Sequence, residues 1–343
     1  MKTYLVTGGA GFIGSNFIHL LMEENQGVES KTPQSHGAED IRIINLDSLT
    51  YCGNRSNVSC YEDFENYRFI QGDICDEELV TALFSEENID YVVHFAAQTH
   101  VDRSIDSATE FARTNVLGTL NLLNAANEAW QGEDRASKRF LYVSTDEVYG
   151  ELAGGGYFTE ETPLHPRNPY AASKAGADMM VKAFYETHHL PILITRCSNN
   201  YGPYQYQEKF LPHCIECCLR GKEIPIYGDG SNIRDWLYVR DHCRAIDTVL
   251  KHGHLGEVYN VGGNHELSNL EFVTILRDIL ITEFGQKASP IRFTTDRKGH
   301  DRRYAIDSTK LQKELGWQPL TDFSEGIRQT IRWYLEHKEF LQL

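Results

Sequence analysis

The chain has 343 residues, room for one large domain and a smaller one at ~100–200 residues each. Its composition, 41% hydrophobic and 24% charged, excludes a disordered or collagen-like chain, and no apolar run approaches the ~20 residues of a membrane span. A net charge of −16, from 33 basic against 49 acidic residues, argues against a nucleic-acid partner or an anionic membrane surface.

The opening residues turn glycine-rich at Gly8 before any long apolar stretch, so a signal peptide is not expected. Short apolar runs predict strands over 3–7, 41–46, 67–71, 91–96, 140–144 and 192–196, with helical patterns over 12–24, 77–87, 108–130 and 170–188 between several of them. Strands alternating with helices imply βαβ units, hence an α/β fold with a doubly wound parallel Rossmann sheet. The polar segment 25–40, with Gly27, Pro33 and Gly37, exceeds the usual ~2–6-residue loop and is expected to be a surface insertion.

From about Cys197 the pattern loosens. Pro203, Pro212, Pro225, Gly228 and Gly230 break it, strand-like pieces at 236–239 and 258–261 mix with helices, and 323–340 has helical periodicity through Ile327, Ile331 and Tyr334. We read a cofactor-binding domain over 1–196 and a smaller C-terminal α/β substrate domain over 197–343, interleaved at the junction. The eight cysteines are scattered, as in a reduced, cytoplasmic protein. His213, Cys214, Cys217 and Cys218 lie in a helix-like stretch where cysteine serves as a small buried hydrophobe. No second pair with zinc-type spacing follows them, so no metal is expected.

Gly8, Gly11 and Gly14 follow the first strand and open a helix. Glycines there let the backbone turn tightly and approach a pyrophosphate, which rests on the helix N-terminus. The second strand ends at Asp47, farther from the last glycine than the usual ~20 residues because of the 25–40 insertion. A carboxylate there accepts from both ribose hydroxyls and repels a 2′-phosphate, which favours NAD over NADP. Asp73, after the third strand, suits the adenine side.

Tyr170 and Lys174 stand at i, i+4 and project from one helix face. An ammonium beside a phenol stabilises the phenolate and is expected to lower its pKa toward neutrality. Tyr334 and Lys338 share that spacing, but in the terminal helix, far from any strand end. Tyr170 and Lys174 instead follow a strand ending in Ser144-Thr145, a hydroxyl placed to hold the same substrate oxygen.

The run Thr7-Gly8-Gly9-Ala10-Gly11-Phe12-Ile13-Gly14, the Tyr-x-x-x-Lys pair and the Ser/Thr after the fifth strand resemble the extended short-chain dehydrogenase/reductase family. Stretches 45–51, 101–104, 144–150, 198–203 and 299–307 resemble the dTDP-glucose 4,6-dehydratase branch of that family almost word for word. Asp146-Glu147 after Thr145 discriminates within it: a 4-epimerase needs the Tyr–Lys pair and a hydroxyl, whereas a dehydratase also needs an acid and a base over one sugar face. The alternative is a 4-epimerase, or a 4,6-dehydratase acting on a UDP-, CDP- or GDP-sugar.

The resemblance implies that NAD is used without being consumed. Tyr170 takes the 4-hydroxyl proton, Glu147 the C5 proton, and Asp146 protonates the departing C6 oxygen; Thr145 holds the C4 oxygen and Lys174 the nicotinamide ribose. It further implies that Gly8, Gly11, Phe12, Ile13, Gly14, Asp47, Ser48, Leu49, Thr50, Asp73, Ile74, Phe95, Ala96, Ala97, Thr99, Thr114 and Asn200 line the NAD pocket. Thr99, Asn199, Lys209, Phe210, Pro225, Tyr227, Arg234, Asn269, His300 and Arg302 are the candidates for the sugar nucleotide, with bidentate arginine suited to the diphosphate. His300 reads equally as a ligand or as a packed imidazole. A homodimer through helices such as 108–130 and 170–188 is implied as well.

Overall fold

Continuous apolar runs, rather than alternating ones, mark strands covered on both faces, and Tyr4, Leu5 and Val6 are buried in succession. A computed structural model describes residues 1–25, 40–152, 154–297 and 299–341. The insertion expected at 25–40 thus lies, from 26 to 39, outside the described residues.

The strands are β1 (Lys2–Thr7), β2 (Ile41–Asp47), β3 (Tyr67–Gln71), β4 (Tyr91–His94), β5 (Arg139–Thr145), β6 (Ile192–Cys197), β7 (Asn199–Tyr201), β8 (Ile224–Tyr227), β9 (Ile233–Tyr238), β10 (Val258–Val261), β11 (Glu266–Ser268) and β12 (Ile291–Thr294). Seven of them form one sheet in the order β10-β6-β5-β4-β1-β2-β3, parallel throughout. The order reverses between β1 and β4, where doubly wound sheets open a crevice beyond the strands' carboxyl ends.

Each face of the sheet is covered by helices. Phe17, Ile18 and Leu21 of the Phe12–Asn25 helix join Ile246 and Val249 of the Val239–His252 helix on one side. Leu83, Leu122, Leu123 and Val181 cover the other. Burial of each such side chain stabilises the fold by ~1.5–3 kcal/mol.

Strand β10, though beyond residue 196, joins the large sheet, pairing with β6 with Asn260 opposite Arg196, and the Val239–His252 helix covers one of its faces. A four-residue apolar run carries no mark of which sheet receives it. The helix expected over 108–130 comprises Ala108–Phe111, a π-helical stretch Ala112–Gly118, and Thr119–Ala129. The widened turn holds Asn115, whose side chain accepts from the Gln98 amide at 2.7 Å and donates to the Gln98 carbonyl at 3.0 Å and Ser173 Oγ at 2.8 Å.

A three-stranded sheet, β11-β9-β7, and a two-stranded one, β12-β8, complete the architecture. Cys214, Cys217 and Cys218 pack in the apolar cluster beneath them with Ile215, Trp236 and Phe272. Tyr334 belongs to that cluster too, its hydroxyl donating to the Gln205 carbonyl, while Lys338 is exposed beyond the end of the Phe323–Glu336 helix. Among the described residues, no helix is long and apolar enough to cross a membrane.

Candidate active site

The carboxyl ends of β1, β2, β4, β5 and β6 border a cleft of about 450 Å³. At one end the chain leaves β1 through Gly8, whose φ of +72° suits glycine. A Cβ on Gly14 would stand 2.3 Å from the Gly8 carbonyl oxygen, so that helix can start so close to the turn only with glycine there. Phe12 and Ile13 line the cleft, and amides in a first helical turn have no intrahelical acceptor.

Asp47 closes β2 with its carboxylate accepting from the Ala10 amide at 2.9 Å and the Leu49 amide at 2.8 Å. Burial pushes its pKa up and those two bonds oppose the rise. Of the residues expected around the cofactor, all but Leu49 line the cleft. Leu49 instead takes a left-handed conformation, φ +52°, that aims its amide at Asp47. Asp73 bonds the Cys75 amide at 2.9 Å, and Thr114 enters from the π-helical stretch.

Thr145, Asp146, Glu147, Tyr170 and Lys174 meet at the other end of the same cleft. Beyond Thr145 the chain turns into a short 3-10 helix, Asp146–Tyr149, whose Glu147 amide donates to Thr145 Oγ1 at 3.3 Å. Thr145 Oγ1 donates to Asp146 Oδ1 at 3.3 Å; Asp146 Oδ2 is buried without a hydrogen-bond partner. Burial first, and the Glu147 charge next, push the Asp146 carboxyl well above the carboxylate range. Glu147 is raised too, again by burial, but Arg234 and the Asn168 amide favour its ionised form.

Tyr170 and Lys174 come from the Pro169–His188 helix, which starts with Asn168 as N-cap, Oδ1 accepting from Ala171 N at 2.8 Å, and proline in the first turn. Among the described residues no hydrogen bond joins the Lys174 ammonium to the Tyr170 phenol. Lys174 Nζ donates to the Val143 carbonyl at 2.8 Å and lies 4.2 Å from the Tyr142 ring centroid. Strand β4 stops opposite Tyr142, which leaves the end of β5 open to side chains on that flank. Burial brings the Lys174 pKa down to about 8. The Tyr170 phenol is raised rather than lowered, by burial and then by Glu147, with a Thr145 hydrogen bond opposing.

Thr99, Asn199 and Lys209 line the cleft, with Lys209 Nζ donating to the Thr99 carbonyl at 3.3 Å. The other candidates for the nucleotide do not line it. Phe210, partly buried, stacks on Trp236 at the edge of the apolar cluster, Pro225 sits within β8, and Asn269 starts the Asn269–Thr282 helix. Tyr227 is half-exposed and faces Asp102, Arg297 and His300. His300 Nδ1 donates to Asp296 Oδ1 at 2.6 Å. Arg302 is exposed, its amide on Glu151. Arg234 is buried behind the acid pair, donating to the carbonyls of Ile233 at 2.7 Å and Asp301 at 3.0 Å and lying 4.3 Å from the Tyr304 ring centroid. Sequence reasoning missed Asn168, whose Asn-Pro step before the catalytic helix is a readable capping signal.

The chain matches the family model described as GDP-mannose 4,6 dehydratase over residues 5–330. The dTDP-glucose 4,6-dehydratase of Xanthomonas campestris pv. campestris (strain B100) is 49% identical, over 100% of this chain and 95% of its own. The crystal structure of the dTDP-glucose 4,6-dehydratase DesIV from Streptomyces venezuelae, with NAD bound, superposes with a TM-score of 0.87 at 44% identity, over 99% of this chain and 98% of its own. The chain belongs to the dTDP-glucose 4,6-dehydratases. UDP-glucose 4-epimerase of Thermotoga maritima, crystallised with UDP-glucose, is also similar, with a TM-score of 0.85 at 30% identity over 98% of this chain and 100% of its own. Dehydratase and epimerase thus share the fold, and chemistry is decided by side chains at the strand ends.

Proposed function

We propose that the protein removes water from dTDP-glucose to give the 4-keto-6-deoxy sugar nucleotide. The observation that carries this reading is the Asp146–Glu147 pair at the end of β5, in one cleft with Thr145, Tyr170 and Lys174. NAD, when bound, accepts a hydride from C4 of the sugar and returns it to C6. The cleft fits that cofactor: the glycine turn and the amides of Phe12 and Ile13 suit a pyrophosphate, Asp47 suits the ribose hydroxyls, Asp73 and Ile74 the adenine, and Lys174 the nicotinamide ribose.

Thr145 donates a hydrogen bond to the C4 oxygen, and Tyr170, once in its phenolate form, takes the C4-hydroxyl proton as C4 is oxidised. A neutral Asp146 lightens the like charge that opposes phenolate formation. Glu147, whose ionised form Arg234 and Asn168 favour, removes the C5 proton made acidic by the C4 ketone. Asp146 keeps its proton through burial and the neighbouring carboxylate, and passes it to the C6 oxygen, which leaves as water. Burial and the Glu147 charge both raise Asp146, whereas Arg234 and Asn168 oppose the rise in Glu147, which supports acid and base roles for them respectively.

A homodimer belongs to the same reading. Leu117 and Met179, on helices that pack together, are 54% and 58% exposed, and such apolar side chains suit burial against a second copy. Cytoplasmic residence is supported by the eight unpaired cysteines. Incubation with dTDP-glucose and NAD tests the proposal: a C6 methyl signal in the product's proton spectrum is expected. A retained C6 hydroxymethyl group with inversion at C4 supports the epimerase instead.

A further inference from the structure

Outside the cleft, a buried polar cluster joins the elements that carry the reacting groups. The Arg196 guanidinium is bidentate on Asp178, Nε to Oδ2 at 3.0 Å and Nη2 to Oδ1 at 2.8 Å, and its Nη1 donates to the Tyr149 hydroxyl at 2.9 Å. Tyr149 in turn donates to Asn260 Oδ1 at 2.8 Å. All four residues are buried, and none lines the cleft.

Their places in the chain give the cluster its meaning. Asp178 lies one turn beyond Lys174 and two beyond Tyr170, on the same helix face. Tyr149 is the last residue of the Asp146–Tyr149 turn. Arg196 stands opposite Ser144, the neighbour of Thr145, on β5 and opposite Asn260 on β10. Asn260 is itself fixed, its Nδ2 donating to the Phe158 carbonyl at 3.1 Å and its amide to Glu160 at 2.9 Å. The Tyr149 ring stacks on Phe158 with centroids 5.1 Å apart.

As a stabilising device the cluster is poor, because the desolvation of a buried ion pair offsets most of its attraction. As a device for geometry it is effective, since one planar guanidinium with directional donors sets the distance and orientation of three elements. We propose that Arg196 is a positioning residue: through Asp178 and Tyr149 it holds the Asp146–Glu147 turn in register with the Tyr170–Lys174 helix for the elimination step. The proposal rests on the reading of Asp146 and Glu147 as acid and base. Asp178 also supports the Lys174 ammonium, in keeping with that role.

Tyr149→Phe tests it, because the variant loses one hydroxyl while keeping the ring on Phe158 and the Arg196–Asp178 pair. The holoenzyme is assayed with dTDP-glucose carrying deuterium at C4 or at C5. The expected result is an unchanged KM, a kcat lower by about tenfold to a hundredfold, as for a small misplacement of reacting groups, and a primary isotope effect that grows at C5 but not at C4. Arg196→Lys keeps a charge against Asp178 but loses the fixed fork, and should shift the isotope effects in the same direction. A purely structural role instead lowers the melting temperature with parental kcat, or lowers kcat with parental isotope effects; either result overturns the proposal. A parent enzyme that retains the C6 hydroxyl overturns the assignment of acid and base itself, a failure seen before any variant is made.

Discussion

Asn168 ties the base to the helix that carries the phenol: its side-chain amide donates to Glu147 Oε2 at 3.3 Å while its carbonyl oxygen caps the helix at Ala171. One side chain thereby relates the group proposed to act at C5 to the group proposed to act at C4. Asp146, one residue earlier, is raised by burial and then by the Glu147 charge, whereas the Asn168 amide opposes the rise in Glu147.

Separate losses are therefore expected from the two carboxyls. Glu147→Gln should bind NAD normally, lower kcat by about 10²–10⁴-fold, and abolish exchange of the C5 proton with solvent. Asp146→Asn should lower kcat over a similar range yet still exchange C5, because the base remains. Deuterium incorporation at C5 of recovered substrate, measured in heavy water, distinguishes them. Equal exchange in both variants removes the division of roles.

Stability should report the Asp146 proton directly. Its folded pKa lies above its unfolded value, so the neutral form is favoured in the fold and its contribution is complete below about pH 4. That contribution is lost as pH rises through the folded pKa. Asp146→Asn cannot ionise, so its melting temperature should gain on the parent's with increasing pH. A constant difference from pH 3 to about 9 would falsify the buried-acid assignment.

At the cofactor end, Gly14→Ala places a methyl 2.3 Å from the Gly8 carbonyl oxygen. Because the neighbour is backbone, the turn must move, at a cost of roughly 1–3 kcal/mol. Weaker NAD binding by calorimetry is expected together with a lower melting temperature. Parental NAD affinity would mean that the turn is not the pyrophosphate cradle.

Leu117→Glu combined with Met179→Glu should release monomers if these exposed side chains meet a second copy. Sedimentation velocity checks it, with one slower species expected for the double variant. A parent that already sediments as a monomer contradicts the dimer.

Much of this architecture is legible in the sequence, for identifiable reasons. The glycine turn, Asp47 and the Asp146-Glu147 step are local: each depends on residues adjacent in the chain or one helical turn apart. What escapes depends on distant partners. Nothing in Val258–Val261 says that it will pair with Ile194–Cys197. The Lys174 acceptor is the Val143 carbonyl because of where β4 ends, a fact of sheet assembly. Arg234 reads as a free diphosphate ligand, yet three backbone carbonyls hold it behind the acid pair, and a sequence cannot show which carbonyls a fold leaves unpaired.

In the proposed reaction one cleft moves a hydride from C4 to C6 of the same sugar while Glu147 and Asp146 remove water between them. Turnover of dTDP-glucose labelled with deuterium at C4 checks both halves at once. Product with the label in the C6 methyl group and the C6 hydroxyl gone is expected. Label remaining at C4, on a sugar that keeps its C6 hydroxyl, would contradict it.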